Sequence, residues 1–372
     1  MIARWIAIVP IAIAAWCGGD ARTQPHDAQT VASACGDSAR VSWDPDKPRE
    51  GALFLVRVSG VPPGVQLAGR AGREPLHVAG DSGGTAAEAF AAAPIDATGS
   101  LGIEVWCSGT GRTDTLVASV VPARGEYPVE RLRVAPAFGR PPDSALAART
   151  RREAERAAAV AAGSHDTPRL WTEPFVRPRT SRVTSGFGRG REFNGTITSR
   201  HMGTDFAGAV GAPVRAANRG VVRIVDAFYY GGNVVYIDHG SGLTSAYLHL
   251  SRQRVAVGDT VDRGQVVGAV GATGRVTGPH LHLIVRYGSV TVDPLSLFAI
   301  AGDSTSSQGS RSLVRSELTA LAWIQRSVGH VDSRRSRPPG RIWPECRLRR
   351  PDLGGERSSS ALILRSFRAV QV

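Results

Sequence analysis

Residues 278–285 read Gly278-Pro279-His280-Leu281-His282-Leu283-Ile284-Val285. Side chains alternate between the two faces of a β-strand, so every second residue points the same way. Leu281, Leu283 and Val285 would then share one face, while His280 and His282 would share the other. The run therefore predicts a strand with an aliphatic face for a core and two imidazoles that reach into one cleft.

A second histidine motif lies upstream, in the run Arg200-His201-Met202-Gly203-Thr204-Asp205-Phe206. Catalytic zinc is commonly held by three His or carboxylate side chains, with a fourth position open for water. His201, Asp205 and His282 supply such a set, and five of the nine histidines of the chain fall between residues 201 and 282. A lone histidine is usually a core or surface residue, but this clustering predicts a metal site. The alternative is a site that binds zinc without catalysing a reaction.

The sequence around these motifs predicts a β domain. Short β-rich runs are separated by glycine-containing turns at residues 231–232 and 239–242, with almost no helical pattern between them. We expect a compact, largely antiparallel domain, in which His239 beside a turn is a structural hydrogen-bonding residue at the sheet edge. The predicted strands are residues 220–227, 233–238, 243–250, 265–270, 280–287 and 290–292.

Residues from about 180 to 296 resemble the catalytic domain of the lysostaphin/LytM-type zinc metallopeptidases, which cut peptide bonds in bacterial peptidoglycan. The motifs stand in the order of that family, and no functional residue of its pattern is missing. They are Thr184-Ser185-Gly186-Phe187-Gly188, His201-Met202-Gly203-Thr204-Asp205-Phe206, Gly211-Ala212-Pro213-Val214, Gly232-Asn233-Val234-Val235, Asp238-His239-Gly240, Tyr247-Leu248-His249-Leu250, Gly271-Ala272-Thr273-Gly274 and Gly278-Pro279-His280-Leu281-His282.

The resemblance implies a zinc enzyme with a defined division of roles. It puts Zn²⁺ ligands at His201, Asp205 and His282, and catalytic imidazoles at His249 and His280. Zinc in such sites polarises a water that attacks the scissile carbonyl. His280 would take the proton of that water, and His249 would stabilise the oxyanion or protonate the leaving amine. The implied reaction is hydrolysis of peptide cross-links in peptidoglycan by a metalloendopeptidase.

Two functions of other classes fit parts of the sequence. A non-catalytic LytM-like activator of cell-wall amidases would share the fold, although such proteins usually lack ligands. A cell-wall-binding protein would have its main task in the N-terminal region. A biotinyl or lipoyl carrier, suggested by the hairpin pattern of residues 255–268, is excluded because the only lysine of the chain is the distant Lys47.

The type of cross-link is left open by the resemblance, because the family includes both glycine-bridge cutters and D,D-endopeptidases. No SH3-like wall-targeting domain is apparent, which favours direct cross-links as the substrate.

Asn194 has two interpretations. In some relatives an asparagine upstream of the first ligand occupies the open zinc position and makes the enzyme latent. An Asn-Gly pair such as Asn194-Gly195 is also typical of a tight turn, and we favour that role.

The chain is strongly basic, and a coding bias towards arginine, alanine and glycine is the explanation that we favour. The formal net charge is +13 and the sequence pI is about 10.7. The arginines are scattered, however, and no aromatic stacking motif accompanies them, so we expect no nucleic-acid binding. Long-range electrostatics would instead attract such a protein to anionic cell-wall polymers.

The first 21 residues resemble a secretory signal. A short positive segment precedes an apolar run over residues 5–16, which is too short to span a bilayer comfortably. Cleavage after Ala14 or Ala21 is consistent with the small residues there, and lipidation of Cys17 is the alternative, the only one that would attach the protein to a membrane. We therefore expect an exported protein, located in the periplasm, at the cell envelope or outside the cell.

Residues 35–125 are predicted to form a small β-sandwich, with an Ig-like topology as the more specific hypothesis. Strand-like runs occur at residues 53–58, 66–68, 101–106 and 116–121, between Cys35 and the end of the region. Export permits disulfides, and Cys35 and Cys107 bracket most of these runs. We predict that these two cysteines are bonded, which leaves Cys346 unpaired.

The remaining sequence completes a mainly β organisation. A linker over residues 126–173 carries a predicted helix over 144–162, capped by Asp143 and stopped by Gly163. The zinc metallopeptidase domain is predicted over residues 174–298. Residues 303–372 are polar and basic without apolar periodicity, and we expect this tail to be mostly disordered.

Overall fold

The computed structural model of the protein describes residues 33–300, except for residues 81–85, 110, 139–140 and 196. The predicted signal peptide, Cys17, Cys346 and the predicted tail lie outside the described residues. The described part is mainly β, as predicted, and its sheets are largely antiparallel. Within it, no helix is both long and apolar enough to span a bilayer.

The N-terminal part contains strands β1 (Arg40–Asp44), β2 (Leu53–Ser59), β3 (Gln66–Ala71), β4 (Glu74–Leu76), β5 (Ala79–Gly80), β6 (Ala86–Ala92), β7 (Leu101–Gly109) and β8 (Arg112–Val120). They form two antiparallel four-stranded sheets, with the orders β1-β2-β6-β5 and β4-β3-β7-β8. Residues from both sheets, including Phe54 and Val56 of β2 and Ile103 and Val105 of β7, are buried in one core. The predicted β-sandwich is therefore present, and its Ig-like topology stays a prediction.

A disulfide joins Cys35 to Cys107 on β7, with the two Cα atoms 5.1 Å apart. This confirms the predicted pairing. Both cysteines are buried against Ala39, and Leu67 and Leu116 pack nearby. The bond fixes the chain that enters β1 to the second sheet.

The segment between the two β regions holds more structure than a linker. The predicted helix is α1 (Ser144–Gly163), and the Asp143 carboxylate accepts a hydrogen bond from the Leu146 amide at 2.8 Å, as expected for an N-cap. Ala157 and Val160 of α1 pack against a cluster that includes Phe228. The helix therefore lies against the C-terminal β domain.

An unpredicted strand, β9 (Val129–Leu132), precedes α1, with a 3₁₀ turn at Pro136–Phe138 between them. The next strands are β10 (Val183–Ser185), β11 (Gly190–Phe193) and β12 (Ile197–Arg200). β9 pairs in parallel with β11, which also pairs with β12 in an antiparallel hairpin. Residues 129–132 thus belong to the same sheet as the segment that leads to His201.

The C-terminal sheet continues with β13 (Thr204–Ala207), β14 (Pro213–Arg215), β15 (Gly220–Phe228), β16 (Gly232–Gly240), β17 (Leu243–Gln253), β18 (Thr260–Val261), β19 (Val266–Val270), β20 (His280–Tyr287) and β21 (Val290–Val292). Together with β10 they form a ten-stranded sheet whose main path is β10-β13-β20-β17-β16-β15-β18. The predicted strands over residues 280–287 and 290–292 have the bounds of β20 and β21. Residues 294–300, where no helix was predicted, are helical.

The main core lies on the aliphatic side of this sheet. Leu281, Leu283 and Val285 are fully buried in it, as the alternation along β20 predicts. Trp171 and Phe175, which enter the domain from the preceding segment, are buried in the same core. With this face of β20 filled by apolar side chains, the opposite face is left to His280 and His282.

Polar contacts join the sandwich to the C-terminal domain. The Tyr287 hydroxyl donates to the Pro75 carbonyl at 2.6 Å. Glu74 on β4 lies 2.9 Å from His165 Nε2, just after α1, and it also accepts hydrogen bonds from the amide and hydroxyl of Ser289. The two β regions therefore pack directly on each other around residues that follow α1.

Candidate metal centre

Three segments bring the predicted ligands together. Asp205 on β13 stands directly opposite His282 on β20, because the antiparallel register pairs these two residues. His201 lies in the short connection between β12 and β13, four residues before Asp205. Although His201 and His282 are 81 positions apart, the sheet therefore places all three side chains at one point.

The ligand atoms converge closely. Asp205 Oδ1 lies 2.7 Å from His282 Nδ1 and 3.0 Å from His201 Nε2, and the two ring nitrogens are 2.9 Å apart. All three side chains are buried, and the group is of a kind that could hold a metal ion. The structure thus brings together the three residues that were predicted as ligands.

The charge states of the group suit a cation. Burial raises the pKa of Asp205, but the adjacent imidazoles of His201 and His282 outweigh this effect and hold the pKa well below the usual range. Burial lowers the pKa of His282 to about 4, so this imidazole is neutral near pH 7. A carboxylate and neutral imidazoles are the forms that bind metals.

The tautomer of His201 gives an independent test of the fit. Its Nδ1 lies 2.8 Å from the Gly186 carbonyl, which can only accept, so Nδ1 carries the proton and Nε2 presents a lone pair. His201 Nε2 and Asp205 Oδ1 are then two acceptors only 3.0 Å apart, and His282 Nδ1 lies within 2.9 Å of both. Such an arrangement is unfavourable without a positive charge among them, so the residues present fit a bound cation.

Groups around the ligands fix their orientation. Arg191 donates to Asp205 Oδ2 at 2.8 Å, which leaves Oδ1 for the centre. Ser185 Oγ lies 3.2 Å from His201 Nδ1 and the same distance from both carboxylate oxygens of Glu130 on β9. Outer groups of this kind hold metal ligands in place. The strand missed by sequence reasoning therefore contributes to the surroundings of the metal group.

His280 and His249 lie beside the ligands. His280 Nε2 is 3.6 Å from Asp205 Oδ1, and the His249 ring centroid lies 4.9 Å from that of His280 and 5.7 Å from that of His282. Each ring donates through Nδ1 to a backbone carbonyl, His280 to Gly278 at 2.8 Å and His249 to Thr273 at 2.9 Å. In the neutral form of either ring, Nε2 is therefore the proton acceptor.

The backbone of His249 is unusual. Its φ is +62°, a left-handed value that is rare for a residue with a side chain. The register between β16 and β17 shifts at this point, since Val235 pairs with Tyr247 but Asn233 pairs with Leu250. Such a bulge turns a side chain out of the regular alternation, and strained residues of this type are concentrated at functional sites. Burial lowers the pKa of His249 well below its ordinary value.

The ligand group opens onto a cleft of about 610 Å³. Asp205 and His280 form part of its wall, together with residues of β9, of the β11 strand and of the loop over residues 275–279. Four arginines also line it, namely Arg131, Arg182, Arg191 and Arg275. The cleft therefore has a wall rich in positive charge beside the ligand group.

Two other predicted roles can be compared with the structure. Asn194 has a φ of +51° in the turn between β11 and β12, and its side-chain amide makes two hydrogen bonds of 3.0 Å with the backbone of Val134. This is the turn role, and the alternative in which Asn194 occupies the metal position is not what the structure shows. His239 is fully buried and hydrogen bonds to the Arg219 carbonyl and to Ser245, so its role is structural. It lies at the end of the interior strand β16, however, and not at a sheet edge.

Sequence reasoning missed several residues around the site. Arg191, Glu130 and Thr273 were not predicted to have any role there. Ser185 and Thr273 lie within motifs that carry the family resemblance, so those motifs were the available signal. Nothing in the local sequence of Glu130 indicated that it would lie near Ser185, because this contact depends on the parallel pairing of β9 with β11.

Together, a β domain, a buried His/Asp/His group and two further histidines beside that group define a metallopeptidase-type site. Residues 199–294 match the model described as Peptidase family M23. The chain therefore contains a peptidase M23 domain.

Two curated relatives cover the same region. Peptidoglycan DD-endopeptidase ShyB of Vibrio cholerae serotype O1 is 41% identical over 138 residues, which are 36% of this chain and 32% of that protein. Peptidoglycan DD-endopeptidase ShyA of the same organism is 52% identical over 88 residues, which are 23% of this chain and 20% of that protein. The chain thus spans about a third or less of the length of these relatives.

A solved structure extends the likeness beyond the M23 region. A protein of Pseudomonas aeruginosa described as a peptidase M23 superposes with a TM-score of 0.52 and 25% sequence identity. The superposition covers 68% of this chain and 95% of that one. Since residues 199–294 are a much smaller share of the chain, the similarity includes structure outside the metallopeptidase core.

Proposed function

We propose that this protein is a zinc-dependent endopeptidase that hydrolyses peptide cross-links of bacterial peptidoglycan. The observation that carries the proposal is the convergence of His201 Nε2, Asp205 Oδ1 and His282 Nδ1 in a cleft that also contains His280. The M23 match and the DD-endopeptidase names of two relatives support the same reaction.

The proposed metal is one Zn²⁺ per chain, held by His201, Asp205 and His282. Two imidazoles and one carboxylate are a ligand set typical of catalytic zinc. When bound, zinc supplies Lewis acidity that polarises an attacking water and the scissile carbonyl.

The proposed proton transfers belong to His280 and His249. His280 Nε2 is the nearer to the ligand carboxylate and is an acceptor in the neutral ring, which suits it to take a proton from water. The His249 ring, next to that of His280, is held by its Nδ1–H on Thr273. We assign it to stabilise the oxyanion or, once protonated, to pass a proton to the leaving amine.

The proposed substrate is a direct D,D cross-link, and the proposed location is the periplasm, the cell envelope or the outside of the cell. The Cys35–Cys107 bond suits an oxidising compartment. We further propose that residues 35–125 and 174–298 form separate domains, joined by residues 126–173, and that the chain has no nucleic-acid partner.

Defined muropeptides test the function directly. The purified full-length protein is incubated with a direct D,D-cross-linked dimer and, separately, with a glycine-bridged dimer, and the products are identified by mass spectrometry. We expect zinc-dependent conversion of the first dimer to monomers, loss of activity after chelation, and recovery when zinc is restored. Cleavage of neither dimer by the zinc-loaded protein would disprove the proposed function, and a zinc-free protein that stimulates an amidase would establish the activator alternative.

A further inference from the structure

Arg275 occupies an unusual position in the wall of the cleft. Its guanidinium carbon lies 4.1 Å from the centroid of the Phe193 ring and 4.4 Å from that of the Tyr230 ring. Cation–π contacts of this kind hold the flat face of a guanidinium in place. The side chain is half-buried, and it lines the same cleft as Asp205 and His280.

The guanidinium N–H donors of Arg275 have no partner in the part of the chain that the structure describes. Among the described residues, its guanidinium has no carboxylate partner and donates no hydrogen bond. Two of the other three cleft arginines differ in this respect, because Arg191 pairs with Asp205 at 2.8 Å and Arg131 with Glu192 at 3.5 Å. The third, Arg182, is exposed to solvent, unlike Arg275. Burial lowers the pKa of Arg275, and the nearby charge of Arg191 lowers it further. A half-buried cation in these surroundings is stabilised by an anion.

The backbone of Arg275 is tied to the proposed catalytic residues. Its amide donates to the Tyr230 carbonyl at 2.9 Å. Two residues earlier, the Thr273 hydroxyl accepts from the Asn233 amide at 2.9 Å, and the Thr273 carbonyl accepts the Nδ1 proton of His249. The loop that carries Arg275 is therefore held against β16 and the turn before it, and the same loop accepts the hydrogen bond of the His249 ring.

We propose that Arg275 binds a free carboxylate of the substrate peptide, beside the bond that is cut at the metal group. The planar fork of N–H donors in a guanidinium matches the two oxygens of a carboxylate, and within the described residues no carboxylate occupies the donors of Arg275. The site then selects cross-linked peptides that carry free carboxylates over uncharged bridges. This inference rests on the proposed endopeptidase function.

A pair of matched substrates tests it. One is a cross-linked peptide with free carboxylates, and the other is the same peptide with those carboxylates converted to amides. We measure kcat/KM for both with the zinc-loaded full-length protein and with Arg275→Gln, Arg275→Lys and Arg252→Gln. Arg252 is exposed on β17 outside the cleft, so its variant is the matched control.

We expect the wild type to prefer the free acid. Arg275→Gln should reduce that preference by about 10- to 100-fold, which is the usual contribution of a hydrogen bond to a charged group. The change should appear mainly in KM. Arg275→Lys should restore part of the preference, and Arg252→Gln should retain all of it. A role of Arg275 in loop packing alone would lower the rates on both substrates equally and would overturn the proposal, as would a wild type without any preference.

Binding of the uncleaved free-acid stem peptide is measured in parallel by calorimetry. Weaker binding to Arg275→Gln than to the wild type supports the carboxylate site even if the wild type cleaves neither substrate, a result that would disprove only the endopeptidase function. Equal binding by the two proteins would overturn the carboxylate site whatever the activity.

Discussion

His201 Nε2 and His282 Nδ1 lie 2.9 Å apart and face each other across Asp205 Oδ1. His201 donates its Nδ1 proton to the Gly186 carbonyl, so its Nε2 has no proton to offer. His201 Nε2 and Asp205 Oδ1 are therefore two acceptors held 3.0 Å apart, with His282 Nδ1 within 2.9 Å of both. Their mutual repulsion is relieved when they share a cation, and this relationship leads to the first prediction.

Removing one ligand should abolish metal retention. We expect His282→Ala and Asp205→Ala each to lower the zinc content from about one ion per chain to near zero, measured by mass spectrometry of the metal after dialysis. His77→Ala, at a histidine outside the group, is the control and should keep its zinc. Stoichiometric zinc in the His282→Ala protein would show that the ligand set is wrong.

The proposed catalytic histidines should behave differently from the proposed ligands. We expect His249→Ala and His280→Ala to retain zinc and the folded structure, because both rings lie next to the ligand group without being part of it. The hydrolysis rate of each variant should fall by about 100-fold or more, which is the usual effect of removing an acid–base group. Rates on a defined muropeptide and zinc content are measured on the same samples. Near-normal turnover in both variants would contradict the assigned roles.

Gly203 tests how closely the two ligand segments approach each other. A Cβ atom at this position would lie 2.5 Å from the Leu283 carbonyl oxygen and 2.6 Å from His282 Nε2. The backbone of β20 cannot move away at low cost, so Gly203→Ala should displace the His282 ring. We expect zinc affinity to fall by about 10- to 100-fold, as for other changes that misorient a ligand, measured by competition with a chelator. Gly102→Ala, where a Cβ meets open space, should leave zinc affinity unchanged.

Local patterns were enough to predict some elements. β20 was predicted with its observed bounds because leucine and histidine alternate along it, and α1 was predicted because Asp143 precedes an uninterrupted helical sequence. β9 was missed because a four-residue strand that pairs in parallel with a distant segment has no local signal. The helical residues 294–300 were also missed, since they were taken as the end of the β domain.

In the site, too, some residues have a local sequence signal and others do not. His201, Asp205 and His282 could be predicted as ligands because zinc requires particular residue types. The family resemblance then showed which histidines match ligand positions. The direction in which the His249 side chain points depends on its φ of +62° and on the shift of register between β16 and β17. The cation–π contacts of Arg275 join a hairpin, a turn and a loop. Such features arise from the packing of distant segments, so the sequence alone could not reveal them.

The Cys35–Cys107 bond should stabilise the sandwich without affecting the metal group. The two cysteines are 72 positions apart, and closing a loop of this length is worth about 4 kcal/mol in the chain-entropy model. We expect Cys35→Ser/Cys107→Ser to lower the free energy of unfolding of the sandwich by a few kcal/mol in denaturant titrations. Zinc content should stay the same. Peptide mapping without reductant provides the check on the pairing, and free thiols at both positions in exported protein would contradict it.

Buried His239 should make the C-terminal domain sensitive to acid. Burial lowers the pKa of His239 to about 4, and the Arg219 carbonyl and the charge of Asp238 only partly oppose this effect. In the unfolded chain the pKa is about 6.5, so between the two values the unfolded state binds the proton and the folded state does not. Stability is therefore fully present above about pH 6.5 and falls as the pH drops towards 4. From pH 7.5 to pH 5 this residue alone should cost about 2 kcal/mol.

The measurement compares the wild type with His239→Gln, which carries no titrating ring. Urea titrations at pH 7.5 and pH 5 give the loss of stability for each protein, both treated with chelator so that release of metal does not contribute. Gln cannot reproduce both hydrogen bonds, so the variant should be less stable at pH 7.5, but its loss on acidification should be smaller than that of the wild type by about 2 kcal/mol. An equal loss in both proteins would show that His239 is protonated in the folded state, and that the acid sensitivity has its origin in other groups.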